Sequence, residues 1–234
     1  RAALLIPLLA AAGSQLAPLA ATAGAANFAT TNIQYLYGTD YELGDDTRSI
    51  VTLEHANAWK YGDNFFFVDI TNPDRDGDDT GTGHYVEISP RLSFGKMTGR
   101  DLSAGIFKDV LLAGTVEIPD SPVPRKYLYG LGVDLNLPGF RFFQVNGYIR
   151  NSSGGGVDTG QQVTLAWNRP FSIGGVQFSF EGFFDYAWGE DPLEDNIITA
   201  PRLLVDVGAL FGAKPGQLQA GIEYQIWRNK FGID

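Results

Sequence analysis

The chain has 234 residues, with 27 acidic side chains against 17 basic ones, two histidines and no cysteine. The net charge of −10 leaves no basic stripe for a phosphate backbone and excludes nucleic acid as a partner, and the absence of cysteine rules out disulfides and thiolate metal sites. No segment beyond the amino terminus has about 18 consecutive apolar residues, so a membrane-spanning helix is excluded and only a barrel could cross a bilayer.

An apolar run from Leu4 to Ala12 follows Arg1, and the small residues Ala21-Thr22-Ala23-Gly24-Ala25-Ala26 come after it. This is the pattern of a secretory signal with an A-x-A-like cleavage site, whereas a buried Ala-rich helix would be interrupted by Pro7, Gly13 and Pro18. Residues 1–26 are read as a signal peptide, incomplete at its start because the first residue is not Met. Residues 27–234 are expected to form a single domain.

Eleven strands are predicted in that domain, over residues 32–43, 49–58, 64–71, 84–93, 105–116, 126–137, 140–150, 161–171, 176–187, 202–210 and 218–227. Most are about 9 to 12 residues long, enough for a tilted strand to cross the hydrocarbon layer and longer than the usual globular strand. In the ninth, Val176, Phe178, Phe180, Phe184 and Tyr186 share one face and Gln177, Ser179, Glu181 and Asp185 the other. In the eleventh, Leu218, Ala220, Ile222, Tyr224 and Ile226 oppose Gln219, Glu223 and Gln225.

A soluble sandwich would alternate in the same way, but the connections separate the two cases. Short turns (59–63, 138–139, 172–175, 212–217) alternate with longer loops (72–83, 117–125, 151–160, 188–201), as periplasmic turns and outer loops do in membrane barrels. The stretch 95–104 breaks this rule, being long where a turn is expected. Acidic residues gather in the long loops, with Asp74, Asp76, Asp78 and Asp79 in one and Glu190, Asp191, Glu194 and Asp195 in another, so an anionic outer rim is expected. Such a rim is either a solvated surface or a site for divalent cations that bridge lipopolysaccharide phosphates. The Asp74-Arg75-Asp76-Gly77-Asp78 run is not an EF-hand, because Asp79 stands where Gly is needed and Tyr85 where Glu is needed. Neither cofactor nor metal is expected. Bacterial single-chain barrels have an even strand count, so a twelfth strand is inferred and the chain is read as truncated at its carboxyl end.

In the fourth strand Val86, Ile88, Pro90 and Leu92 alternate with Tyr85, Glu87, Ser89, Arg91 and Ser93. One face is apolar and the other charged, which suits a wall with lipid outside and water inside. The run Glu87-Ile88-Ser89-Pro90-Arg91-Leu92-Ser93, continued by Lys96-Met97-Thr98 and Asp101-Leu102-Ser103, resembles the segment E-x-x-P-R-x-S…K-x-T-x-x-D-L-S of the Tsx family of nucleoside-specific outer-membrane channels. Looser similarity extends to Gly130-Leu131-Gly132-Val133-Asp134 and Phe184-Asp185-Tyr186-Ala187-Trp188-Gly189. The resemblance implies an all-β, up-and-down transmembrane barrel of twelve antiparallel strands in a Gram-negative outer membrane, passing nucleosides.

A flat base and ribose hydroxyls call for stacking rings and acceptor carboxylates. The third strand places Phe65, Phe67, Asp69 and Thr71 on the face opposite Phe66, Val68 and Ile70, so Phe65, Phe67 and Asp69 are predicted to contact substrate in the lumen. Phe183, Asp185 and Trp227 are further lumenal candidates. Glu87 and Arg91 are about 13 Å apart along one strand, too far to pair, and are expected to meet opposite charges elsewhere. The partners considered are Glu54, Asp69, Glu181, Asp185, Asp206 and Glu223, in a bracing network or a substrate contact. His55 and His84 lack metal-ligand spacing and nucleophile motifs, so an enzyme using Ser89 or Ser93 is disfavoured. The remaining alternative is a surface receptor for phage or colicin with little selective flux.

Overall fold

The computed structural model describes residues 2–8, 26–41, 46–73 and 82–229. Its strands are β1 (Ala2–Leu8), β2 (Phe28–Thr39), β3 (Arg48–Trp59), β4 (Gly62–Thr71), β5 (Gly83–Ser93), β6 (Phe107–Pro119), β7 (Lys126–Leu135), β8 (Phe142–Ser152), β9 (Gly160–Ile173), β10 (Val176–Trp188), β11 (Asn196–Thr199), β12 (Arg202–Val205) and β13 (Ala220–Arg228). Two short helices, α1 (Phe94–Thr98) and α2 (Val207–Leu210), sit in connections.

Each strand pairs antiparallel with its sequence neighbours from β2 through β10, in one up-and-down sheet. β11 and β12 lie end to end, both between β10 and β13, and occupy one position of the wall. β1 pairs with β2 on one side and β13 on the other, so among the described residues the ladder has no free edge. The place where sequence counting requires a twelfth strand is thus held by part of the segment read as a signal peptide; the rest of that segment, apart from Ala26, lies outside the described residues.

Alternation sorts the wall into two faces. Ile33, Ile88, Leu112, Leu131 and Ile222, from five different strands, lie exposed on the outside. Gln34, Thr52, Arg91, Thr115, Asn146 and Ser179 are buried inside. This arrangement is the inverse of a soluble protein and matches a barrel with lipid around it. Tyr35, Tyr37, Tyr127 and Tyr129 add exposed rings towards the loop end of β2 and β7, as an interfacial aromatic belt. Among the described residues no helix is long and apolar enough to cross a membrane.

The turns show why the strands stop. Between β9 and β10, Gly174 and Gly175 both have positive φ, 58° and 85°, as a two-residue hairpin of type I′ requires. The long stretch after β5 contains α1, whose first turn is capped by the Ser93 hydroxyl accepting from Lys96 N at 2.9 Å and whose end is a left-handed Gly99. The largest departure from the sequence reading lies between β10 and β13. The strand predicted over 202–210 instead begins at Asn196, breaks at Ala200-Pro201, and gives way to α2 after Val205. Pro201 has no N–H for the ladder, and the Asp206 carboxylate accepts from Ala209 N at 3.1 Å, starting a helical turn. The first strand is also displaced, running over Phe28–Thr39 and not 32–43.

Candidate channel lumen

The inner face of β4 and β5 is fixed by register. Phe65 lies opposite Ser89, Phe67 opposite Glu87, and Asp69 opposite Tyr85. The Phe65 and Phe67 ring centroids are 5.9 Å apart, and Phe67 is 5.7 Å from Tyr85, so three rings form a continuous inward ladder. Residues two apart on a strand point the same way, and the diagonal neighbour on the next strand extends the row.

Glu87 stands beside this ladder. Its carboxylate accepts from the Ser89 hydroxyl at 2.8 Å, and Ser89 also shares a hydrogen bond with Thr115 at 2.9 Å. No cation contacts Glu87 among the described residues, and it lies in the fields of Glu117 and Asp185 and, to a lesser degree, of Arg150. Asp185 accepts from the Thr164 hydroxyl at 2.6 Å on β9, and Asp69 from Thr52 at 2.5 Å on β3. Phe183 shares the inner face of β10 with Asp185, and Trp227 is buried on the inner face of β13.

Three largely buried arginines each hold two carboxylates. Arg91 grips Asp63 through Nε and Nη2 at 2.8 and 2.9 Å and donates to Asp134 at 2.9 Å. Arg150 meets both oxygens of Glu117 at 2.5 and 2.9 Å and donates from Nε to Glu190 at 3.1 Å. Lys126 also pairs with Glu190. Arg202 donates to Glu181 at 2.7 Å, to Gln34 at 2.9 Å and to Glu54 at 3.3 Å, tying β12 to β10, β2 and β3 across the inside of the barrel. Bidentate guanidinium–carboxylate pairs are the geometry in which buried charges are best compensated.

These contacts correct three sequence expectations. The partners of Arg91 are Asp63 and Asp134, none of those proposed for it, because the side chain reaches its cross-strand neighbour on β4 and, past the small Ala113 on β6, a carboxylate on β7 before anything on the far wall. Asp206 is not a lumenal counter-ion; it caps α2. Glu117 and Glu190, assigned to outer loops, are in fact counter-ions of Arg150: β6 runs on to Pro119, and Glu190 folds in until it is 3% exposed. The acidic residues 74, 76, 78 and 79 lie outside the described residues. The hubs Arg150 and Arg202 were not singled out from sequence, though Arg150 falls on the same alternating row as Gln144, Asn146 and Tyr148.

At the loop end, Tyr41 packs against Leu36 and Ile50 with the Arg48 guanidinium 4.4 Å from its ring centre, and burial pushes its hydroxyl up to about 12. The histidines are on the other side of the wall. His55 stacks on Phe66 at 5.3 Å, and His84 lies 3.5 Å from Asp120, both on the outer face, whereas Ser89 and Ser93 face inward.

An apolar exterior, a closed antiparallel ladder and an interior of charges and rings define a membrane-spanning β-barrel with a polar lumen. The profile of the family described as nucleoside-specific channel-forming protein, Tsx, matches residues 26–230, and the chain belongs to that family. It is similar to the outer membrane protein OmpK of Vibrio parahaemolyticus, with 26% identity over 166 residues, covering 66% of this chain and 62% of the relative. It is also similar to the nucleoside-specific channel-forming protein Tsx of Salmonella typhimurium, with 29% identity over 126 residues (49% of this chain, 44% of the relative), and to that of Klebsiella pneumoniae, with 28% over 127 residues (50% and 43%). The matches span less than two thirds of these relatives' lengths. Fold and family together place the chain in the Gram-negative outer membrane.

Proposed function

We propose that the chain forms a passive diffusion channel selective for nucleosides. The observation that carries this reading is the ladder Phe65–Phe67–Tyr85 with Glu87 at its side. Stacking on successive rings tolerates any base, and a carboxylate that no cation contacts among the described residues accepts from ribose hydroxyls. Asp69, Phe183 and Asp185 extend the same wall chemistry, while Arg91 has its donors turned to Asp63 and Asp134 and acts as a brace. A site made of rings and acceptors binds weakly enough to release, which a conducting pathway requires. No energy source is invoked.

The test is single-channel conductance in a planar bilayer before and after adenosine or thymidine is added. Stepwise closure that saturates with nucleoside, and is absent with a sugar of similar size, supports the proposal. Conductance indifferent to nucleoside refutes it.

A further inference from the structure

We propose that the connection between β5 and β6 holds the phosphate of an anionic phospholipid headgroup at the periplasmic rim of the barrel. This connection is the stretch that broke the rule of short periplasmic turns, and pore function gives it no role. It encloses an open cavity of about 310 Å³ whose lining includes Lys96, Arg100 and Lys108, the carboxylates Asp101 and Asp109, and Leu102.

Three features aim positive charge into that cavity. The left-handed Gly99 turns the chain at the end of α1, and Arg100 N donates to Gly95 O at 3.1 Å, fixing the backbone from which the Arg100 side chain projects. The β6–β7 register slips between Phe107 and Asp109, leaving Lys108 as the extra residue of a bulge, a device that re-aims a side chain away from the sheet. Lys96 is held at the rim by donating to Gly62 O at 3.0 Å, and an ammonium has two further protons to give. Arg100 and Lys108 make no side-chain ion pair or hydrogen bond among the described residues.

The two carboxylates are occupied. Asp109 accepts from Gly95 N at 3.1 Å, Val110 N at 2.9 Å and the Ser93 hydroxyl, and Asp101 accepts from Ser103 N at 2.9 Å. Beside these engaged carboxylates a guanidinium fork and two ammonium groups also line the cavity, three positive charges against two negative, and supply the donor set for a tetrahedral oxyanion.

A free phosphate would need only those cations, but Met97, Leu102, Ile106 and Phe107 lie exposed around them. Val110 and Leu112 continue this apolar surface up the outside of β6. Cations at the end of a lipid-facing band, with apolar shoulders between, match a headgroup whose acyl chains run up the barrel wall. This site is independent of nucleoside passage.

The experiment is native mass spectrometry of the folded full chain offered phosphatidylglycerol and phosphatidylcholine in competition. Folding of every variant is confirmed by heat-modifiable migration in gels. Wild type is expected to retain phosphatidylglycerol with a preference on the order of tenfold, and R100A/K108A to lose it. R141A/K214A, which removes two charges from other periplasmic connections, is expected to keep it. The proposal is overturned if R100A/K108A keeps the preference, if both double variants lose it equally, or if millimolar inorganic phosphate displaces the lipid and binds alone.

Discussion

Glu87 lies directly across the β5–β6 ladder from Glu117, and Arg150 forks onto Glu117 while making no hydrogen bond to Glu87. Like charges facing each other across a sheet oppose folding, by up to about 1 kcal/mol per pair. A carboxylate kept in that position is therefore a candidate for ligand contact. Glu87→Gln keeps an acceptor for the Ser89 hydroxyl and removes the repulsion. Its unfolding midpoint in urea is expected to be unchanged or higher, while the nucleoside concentration for half-block rises about tenfold or more, since hydrogen bonds to charged acceptors are worth about 1.5–3 kcal/mol. A loss of stability with unchanged block would make Glu87 a structural group.

The ring ladder makes a paired prediction about faces. Phe66 and Phe67 are adjacent in sequence and point to opposite sides of the wall, Phe66 against His55 outside and Phe67 between Phe65 and Tyr85 inside. Phe67→Leu is expected to weaken nucleoside block by about 1–3 kcal/mol, the worth of one base stacked on one ring. Phe66→Leu should leave block unaltered. The comparison is made on the same bilayer recordings, and equal effects from the two variants would exclude stacking at Phe67.

Faces were readable from sequence wherever period two was unbroken. The alternation of Val86, Ile88 and Leu92 with Glu87, Ser89 and Arg91 defines the outside and inside of β5, and the same rule turns Phe65 and Phe67 inward. Pairings were not readable in the same way. The partner of Arg91 depends on register with β4 and on reach across β6 to Asp134 on β7, neither of which is written in one strand's alternation. Chain ends of strands were harder still: Glu117 reads as loop because an acidic residue before Pro119 has the composition of a turn, and the pairing of Glu117 with Glu87 on one side and Lys126 on the other shows that β6 continues. The break at Ala200-Pro201 has one legible cause, the missing N–H of Pro201, and one that local sequence does not carry, the close approach of Gly182 on β10.

Arg91 is the test of bracing. Its side chain is 5% exposed and holds Asp63 and Asp134 together. Removing one member of a buried ionic group leaves charge without compensation and costs about 3–5 kcal/mol. Arg91→Met is expected to lower stability to urea by that amount, and Asp63→Asn with Asp134→Asn in the same chain to recover most of the loss. Lysine at this position cannot reproduce the two-pronged contact to Asp63 and should fall between. If Arg91→Met unfolds at the wild-type midpoint, the network is not load-carrying and Arg91 becomes available as a substrate contact.

The seam of the wall at β11 and β12 depends on Gly182. Its φ is +151°, and a Cβ there would lie 2.6 Å from Ala200 O and 2.9 Å from Pro201 Cα. Gly182 and Phe183 stand opposite the break, between the pairs Glu181–Arg202 and Phe184–Thr199. Gly182→Ala must push Ala200-Pro201 outward and strain the backbone, at about 1–3 kcal/mol. The displacement would be felt at Arg202, the residue after Pro201, and hence at its contacts with Glu181 and Glu54. Gly147 on β8 has open space where its Cβ would go, so Gly147→Ala serves as the control and is expected to change little. Urea unfolding of the two variants decides the matter, and equal midpoints would show that the wall at Ala200-Pro201 yields without resistance.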